Sequence, residues 1–163
     1  MIRRAEKDDI SRIVQIEGES FADPWAAESF ESSLVLDRMQ FFVAEELLAD
    51  DAGGGGGTGG MSGGASLIGY VLALIAADEG EIADLAVTPA ARRRGVGGLL
   101  LDRVSRAAAD RGVRVLYLEV RESNVAARRL YESRSFLPVG RRRGYYRHPS
   151  EDALVLRRDL EPA

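Results

Sequence analysis

Three arginines and three glycines fall within seven consecutive positions, Arg92-Arg93-Arg94-Gly95-Val96-Gly97-Gly98, just behind Leu85-Ala86-Val87 and the breaker Thr88-Pro89. An apolar-periodic segment follows, so the order reads as strand, turn and helix start. Glycine lets the backbone adopt positive φ and come close to a ligand. The first turn of a helix adds unpaired N–H groups at the positive end of the macrodipole. Together they make an anion cradle, with phosphate the expected anion. The same glycines could instead serve a tight turn and close helix–sheet packing. No Gly-Lys-Ser/Thr follows, and the position three after Gly97 is Leu100, so neither common nucleotide fingerprint is met. A dinucleotide domain would also carry its phosphate turn near the start of a βαβ unit, whereas most strand-like segments here precede it. ATP and NAD are poor fits, and a different phosphate-bearing cofactor is indicated.

A second group lies in Leu116-Tyr117-Leu118-Glu119-Val120-Arg121-Glu122-Ser123-Asn124. Glu119 falls near the end of an apolar strand, where a carboxylate is costly unless paired, solvated in a cleft, or used. Leu118 and Val120 face one way and Glu119 the other, so a polar cleft on one face suffices. Asn124 suits the cap of a following helix that carries Tyr131. A tyrosine there serves packing as readily as chemistry. Other chemistries are closed by composition. The chain has no cysteine, which removes disulfides, thiolate ligands and a thiol nucleophile, and one histidine, His148, which excludes a multi-histidine metal site. His148 reads as a loop residue beside Pro149.

The elements that must position these groups follow from periodicity. The 163 residues suffice for one domain with a core. Ile2–Arg4 reads as a short strand. Ile10, Ile13, Val14 and Ile16 or Glu17 have helical spacing that ends near Phe21. Pro24 suits the start of a second helix carrying Phe30 and Leu34. Phe41–Leu48 and Leu67–Ala76 read as paired strands, and Glu81–Val87 as a third. Leu99, Leu100, Val104, Ala107 and Ala108 give the helix after the glycine turn its apolar face, with Gly112 as its stop. Val113–Val120 is a strand, Asn124–Ser133 a helix, and Leu137–Gly140 and Ala153–Arg157 two last strands. The sum is an α/β (α+β) domain with a mixed central sheet of six to seven strands and about four helices. Residues 53–64 hold nine of the 18 glycines and almost nothing apolar. That stretch, about 50–65, is expected as a flexible insertion at a hairpin tip, since closure entropy grows only logarithmically with loop length.

The formal net charge of −4 argues against a general nucleic-acid binder. Two basic runs stand out nonetheless. Arg92–Arg94 adjoin the glycine turn and suit phosphate, whereas Arg141-Arg142-Arg143 reads as solvated surface. No apolar run approaches the length of a bilayer span, and Met1-Ile2-Arg3-Arg4 leads straight into charged residues, so no membrane partner and a cytoplasmic location are expected.

In this order, the Arg-Arg-x-Gly-x-Gly turn, Leu-Glu-Val-Arg-x-Ser-Asn-x-Ala-Ala, Leu-Tyr-Glu-Ser and the Arg143-Gly-Tyr-Tyr-Arg-His-Pro-Ser-Glu-Asp-Ala-Leu-Val-Leu156 ending resemble the GNAT N-acetyltransferases. More narrowly they are similar to the RimI-type ribosomal-protein alanine N-acetyltransferases. The likeness spans the chain except the glycine insertion. It implies acetyl-CoA as cosubstrate, no metal, and a protein N-terminus, most naturally a ribosomal one, as acceptor. It implies that the backbone of Arg93, Arg94, Gly95, Val96, Gly97 and Gly98 receives the pyrophosphate. The pantetheine would lie along Leu85, Ala86 and Val87 like an added strand, with Asn124 bonding nearby. For this the strands ending at Val87 and Glu119 must splay. By the same likeness Glu119 is the general base, Tyr131 the general acid, and Phe21, Trp25, Tyr145 and Tyr146 hold the acceptor between two loops. Direct transfer is implied, since no cysteine can carry an acetyl group.

The acceptor amine must be neutral to attack. At pH 7 an α-amine of pKa about 7.8 is roughly 14% neutral and a lysine of about 10.4 only about 0.04%, a handicap of about 3.5 kcal/mol. One carboxylate fits the α-amine more easily. Acetylation of lysine or of a small amine is the alternative activity, and a non-catalytic acetyl-CoA-binding module the alternative class. One departure stands out: Arg134-Ser135-Phe136 puts serine where the family has glycine. A left-handed cap there would strain serine by about 1 kcal/mol.

Overall fold

Alternation and helical spacing resolve into seven strands and four α-helices in a computed structural model that describes residues 1–47 and 64–162. In chain order they are β1 (Ile2–Arg4), α1 (Ile10–Ser20), α2 (Ala27–Val35), β2 (Met39–Leu47), β3 (Ala65–Ala76) and β4 (Glu79–Val87). Then come α3 (Val96–Asp110), β5 (Val115–Arg121), α4 (Val125–Ser133), β6 (Leu137–Arg147) and β7 (Ser150–Asp159). One sheet in the order β1-β2-β3-β4-β5-β7-β6 joins all strands, and only β4 and β5 pair in parallel. The glycine-rich insertion lies outside the described residues apart from its last positions, where β3 begins.

The sheet separates two apolar layers. Phe42, Val71, Leu116, Leu118 and Phe136 pack with Leu100, Leu101 and Val104 of α3 on one face. Phe41, Val43, Tyr70 and Leu72 pack with Ile13 and Ile16 of α1 and Phe30 of α2 on the other. Leu100, Val104, Ala107 and Ala108 of α3 are buried as expected, but Leu101, fully buried, takes the place of Leu99, which is 57% exposed. The helix stops as expected, with Gly112 at φ 85° just after Arg111.

One irregularity governs the middle of the sheet. Ala73 pairs with Ile82 and Leu72 with Asp84, leaving Ala83 as an extra residue on β4. A bulge of this kind bends its strand and sharpens the twist. Pairing of β4 with β5 is confined to Glu79↔Val115, Gly80↔Leu116 and Glu81↔Tyr117. Beyond Glu81 the two strands part, which is the splay that the acetyltransferase likeness demands.

Three expectations change. The second helix begins at Ala27 with Ala26 as N-cap, so Pro24 lies in the connection before it. The last two strands are longer than expected and form a hairpin turned at His148-Pro149, so Tyr145 and Tyr146 stand on β6 and not in a loop. Apolar periodicity understates β6 because nearly every residue of that edge strand is exposed. Ser135 does take the left-handed conformation, at φ 64°.

Candidate active site

A cleft of about 440 Å³ passes through the opening between β4 and β5. Leu130 and Tyr131 of α4 and its cap residue Asn124 wall it from the α3–α4 side. From the other face come Glu17 of α1, Phe21 and Trp25 of the α1–α2 connection, and Tyr145 and Tyr146 of β6. Asp84 and Leu85 form one bank and Glu119, Val120 and Arg121 the other. The cleft therefore unites Glu119, Tyr131, Asn124, Leu85, Phe21, Trp25, Tyr145 and Tyr146.

Ala86 and Val87 lie outside this cleft but continue the same free edge of β4, whose other edge pairs with β3 through Val87. The Ala86 side chain is buried against the α1–α2 layer. Past Val87 a short 3-10 turn leads to Arg93 and Gly95, at φ 62° and 81°, and then to α3. Its first N–H groups receive no side-chain cap. A Cβ at Gly95 would meet nothing within 4 Å, so this glycine answers a backbone requirement beside open space. Gly97 and Gly98 have a different reason. A Cβ at Gly97 would stand 2.8 Å from Leu130 Cδ2, and one at Gly98 would press into the Arg134 guanidinium. These two glycines let α4 approach α3. The arginine side chains are also partly committed: Arg92 Nε donates to the Val87 carbonyl at 2.9 Å, and Arg94 pairs with Glu46. What remains for an anion is the uncapped helix start and the left-handed turn before it, and this donor set suits a pyrophosphate.

Glu119 sits on β5, where burial alternates residue by residue: Leu118 and Val120 are buried toward α3 while Glu119 points to the opposite face. Arg142 Nε lies 2.7 Å from Glu119 Oε1. The same Glu119 carboxylate, and then burial, pushes the Tyr145 phenol up to about 12. Tyr146 is raised by burial and by Glu119, and its ring lies 4.2 Å under the Arg121 guanidinium. Tyr131 is raised first by burial and then by Asp84, so it stays a phenol at neutral pH. Its ring meets Phe136 edge-on at 6.0 Å, so the packing role and the cleft position coexist. Asn124 Oδ1 accepts from Ala127 N at 3.1 Å, which caps α4. Trp25 likewise does both things, lining the cleft while its ring packs 5.5 Å from Phe30.

Two acidic residues in the cleft wall escaped the sequence reading. Tyr70 bonds Glu17 through its hydroxyl and lies 3.1 Å from Asp84 Oδ2. Glu17 Oε1 also accepts from Trp25 N at 2.9 Å. Burial, then the neighbouring Glu17 carboxylate, pushes Asp84 up to about 8, so Asp84 keeps its proton at neutral pH. The signals were present: Glu17 falls on the apolar stripe of α1, and Asp84 interrupts an apolar strand. Among the described residues no group of three or more metal-ligating side chains occurs, and no helix is long and apolar enough to cross a membrane.

Residues 10–136 match the model of the Acetyltransferase (GNAT) family. The N-alpha-acetyltransferase RimI of Mycobacterium tuberculosis is 35% identical over 157 residues, covering 93% of this chain and 87% of that protein. The crystal structure of the ribosomal-protein-S18-alanine N-acetyltransferase from Escherichia coli superimposes with a TM-score of 0.78 at 29% identity, over 100% of this chain and 95% of that one. Arabidopsis thaliana NAA60 in complex with acetyl-CoA, at 24% identity and a TM-score of 0.81 over 98% of both chains, shares the fold. On sequence and on architecture, this chain belongs to the acetyltransferase (GNAT) family.

Proposed function

We propose that this acetyltransferase takes its acetyl group from acetyl-CoA and delivers it to the α-amine of a protein N-terminus, the N-terminal alanine of a small-subunit ribosomal protein. The observation that carries the reading is the single cleft through the sheet, walled by Tyr131 from the α4 side and by Glu119 from the opposite face. Two reactants can then meet in the opening from opposite faces of the sheet. Similarity to an N-alpha-acetyltransferase and to an enzyme named for a ribosomal-protein alanine supports the choice of acceptor.

Acetyl-CoA, when bound, supplies an acetyl group activated as a thioester. The backbone amides from Arg93 to Gly98 would hold its pyrophosphate, the free edge of β4 at Leu85–Val87 its pantetheine arm, and the Asn124 amide a polar group along that arm. Helix-terminus contacts contribute about 0.3–2 kcal/mol each, so they orient more than they anchor. Glu119 accepts the proton of the acceptor ammonium, directly or through one water, which makes the amine nucleophilic. Tyr131, held as a phenol by its burial, donates a hydrogen bond to the departing sulfur. Phe21 and Trp25 wall the first acceptor side chain, while Tyr145 and Tyr146 offer hydroxyls to the acceptor backbone. A wall of this kind suits a small first residue such as alanine.

The test is acetylation of short peptides followed by mass spectrometry. Peptides with a free N-terminal alanine should gain one acetyl group, and the same peptides with a blocked N-terminus and an internal lysine should not. Equal modification of blocked peptides would move the assignment to lysine. Calorimetry that detects no uptake of coenzyme A would remove the cofactor assignment altogether.

A further inference from the structure

The run Arg141-Arg142-Arg143 looks like solvated surface in the sequence, and β6 splits it. Arg141 turns to Glu122 at 2.5 Å and Asp152 at 3.2 Å. Arg142 points to the other face, reaches across β7 and meets Glu119 on β5. Small residues open the way: Arg142 stands opposite Ala153, and Gly140 lies opposite Val155, the partner of Glu119. Between Arg142 and Tyr146 the register slips, so that residues 143–145 bulge against Asp152, which accepts from Gly144 N at 2.9 Å. This bulge brings Tyr145 to the same carboxylate, with its ring 5.6 Å from the Arg142 guanidinium.

The direction of approach matters. A second cleft of about 400 Å³, with Gly80, Tyr117 and Val155 in its wall, adjoins the first and shares Glu81 and Glu119 with it. Arg142 lines only this second cleft, so it meets Glu119 from the side away from Tyr131 and Trp25. Glu81 is a second carboxyl at the same junction. Burial and then repulsion from Glu119 raise it, while Arg142 draws it down. Two carboxylates beside one opening repel each other, and an arginine paired with one of them offsets that repulsion.

We propose that Arg142 is a positioning residue for Glu119: it grips one carboxylate oxygen from behind and offsets the repulsion of Glu81, leaving the other oxygen aimed into the cleft. This rests on the reading of Glu119 as the base. Arg142 itself touches neither reactant.

Steady-state kinetics on a free-N-terminal peptide test it. Arg142→Ala should lower kcat about 10-fold, less than loss of the base itself, with KM for acetyl-CoA within about twofold of wild type. Arg142→Lys should keep most of the activity, because a cation remains. Adding Glu81→Gln to Arg142→Ala should recover about threefold or more, since the repulsion is gone. Arg143→Ala serves as the control and should match wild type. A kcat for Arg142→Ala within about twofold of wild type overturns the proposal. So does a loss that Glu81→Gln leaves untouched, or one matched by an equal loss of acetyl-CoA affinity. If Arg142→Ala fails to fold, Arg142→Gln, which keeps the aliphatic stem, enters the same comparison. A wild type that acetylates no free N-terminus removes the reading of the site and this proposal together; an active wild type with an unchanged Arg142→Ala removes the proposal alone.

Discussion

Among the acidic side chains that line the cleft, Glu119 on one bank and the Glu17–Asp84 pair on the other are built in opposite ways. On the β5 bank, Glu119 has a cation, Arg142, and a phenol, Tyr145, at its carboxylate. On the β4 bank, Glu17 is 1% exposed and is tied through Tyr70 to Asp84, with no cation among the named partners. The first arrangement sets a carboxylate against a cation at the wall of the cleft. The second desolvates Asp84 beside another carboxyl until it holds its proton. Its bonds run to Trp25 N in the α1–α2 connection and to β4 just past the Ala83 bulge. The buried pair therefore ties that connection to the bend that opens the sheet. Residue type alone does not assign a role here; the partners do.

The sharpest way to break this contrast is Glu119→Gln. If that carboxylate moves the proton, kcat falls about 100-fold or more with the fold intact. A variant that acetylates at the wild-type rate would make the two banks equivalent. Tyr131→Phe comes next. It keeps the ring against Phe136 and should cost about 10-fold in kcat, with little change in melting temperature.

Asp84→Asn should act on stability more than on turnover. Between the ordinary value of 3.8 and about 8, folded Asp84 keeps a proton that the unfolded chain gives up. Wild-type stability therefore declines as pH rises across that window and levels off above it. The asparagine variant should lose this slope, matching wild type near pH 4 and exceeding it at pH 8 by about 1–3 kcal/mol. Thermal melts at the two values check this, and a wild-type melt that rises across the window would contradict a protonated Asp84. The smallest effect is expected outside both banks. Ser135→Gly relieves a left-handed serine and should stabilise by at most about 1 kcal/mol, read in a denaturant titration, with kcat unchanged.

Much of this site was legible before any tertiary contact was known. Glu119 stands out because a carboxylate breaks an apolar alternation, and Asn124 because a cap residue precedes a helical stripe. Gly95 reads correctly as a backbone requirement. Gly97 and Gly98 look identical to it in the sequence yet answer to Leu130 and Arg134 on another helix. Glu17 shows the opposite limit. Its place on the apolar stripe of α1 was visible, but nothing local says that the stripe would turn it toward Tyr70.

Residue order alone dictates most of the elements, their succession, the turn before α3 and the family, since each depends on neighbours along the chain. Hydrophobic periodicity and backbone preferences act over a few residues, so they survive reading in one dimension. Which charges meet was settled in three dimensions. The Ala83 bulge opened the sheet, a slip in the β6–β7 register aimed Arg142 and Tyr145 at Glu119, and the packing of α1 buried Glu17 beside Asp84. Those outcomes depend on strand register and helix docking, where a shift of one residue would exchange the faces and leave every local pattern unchanged.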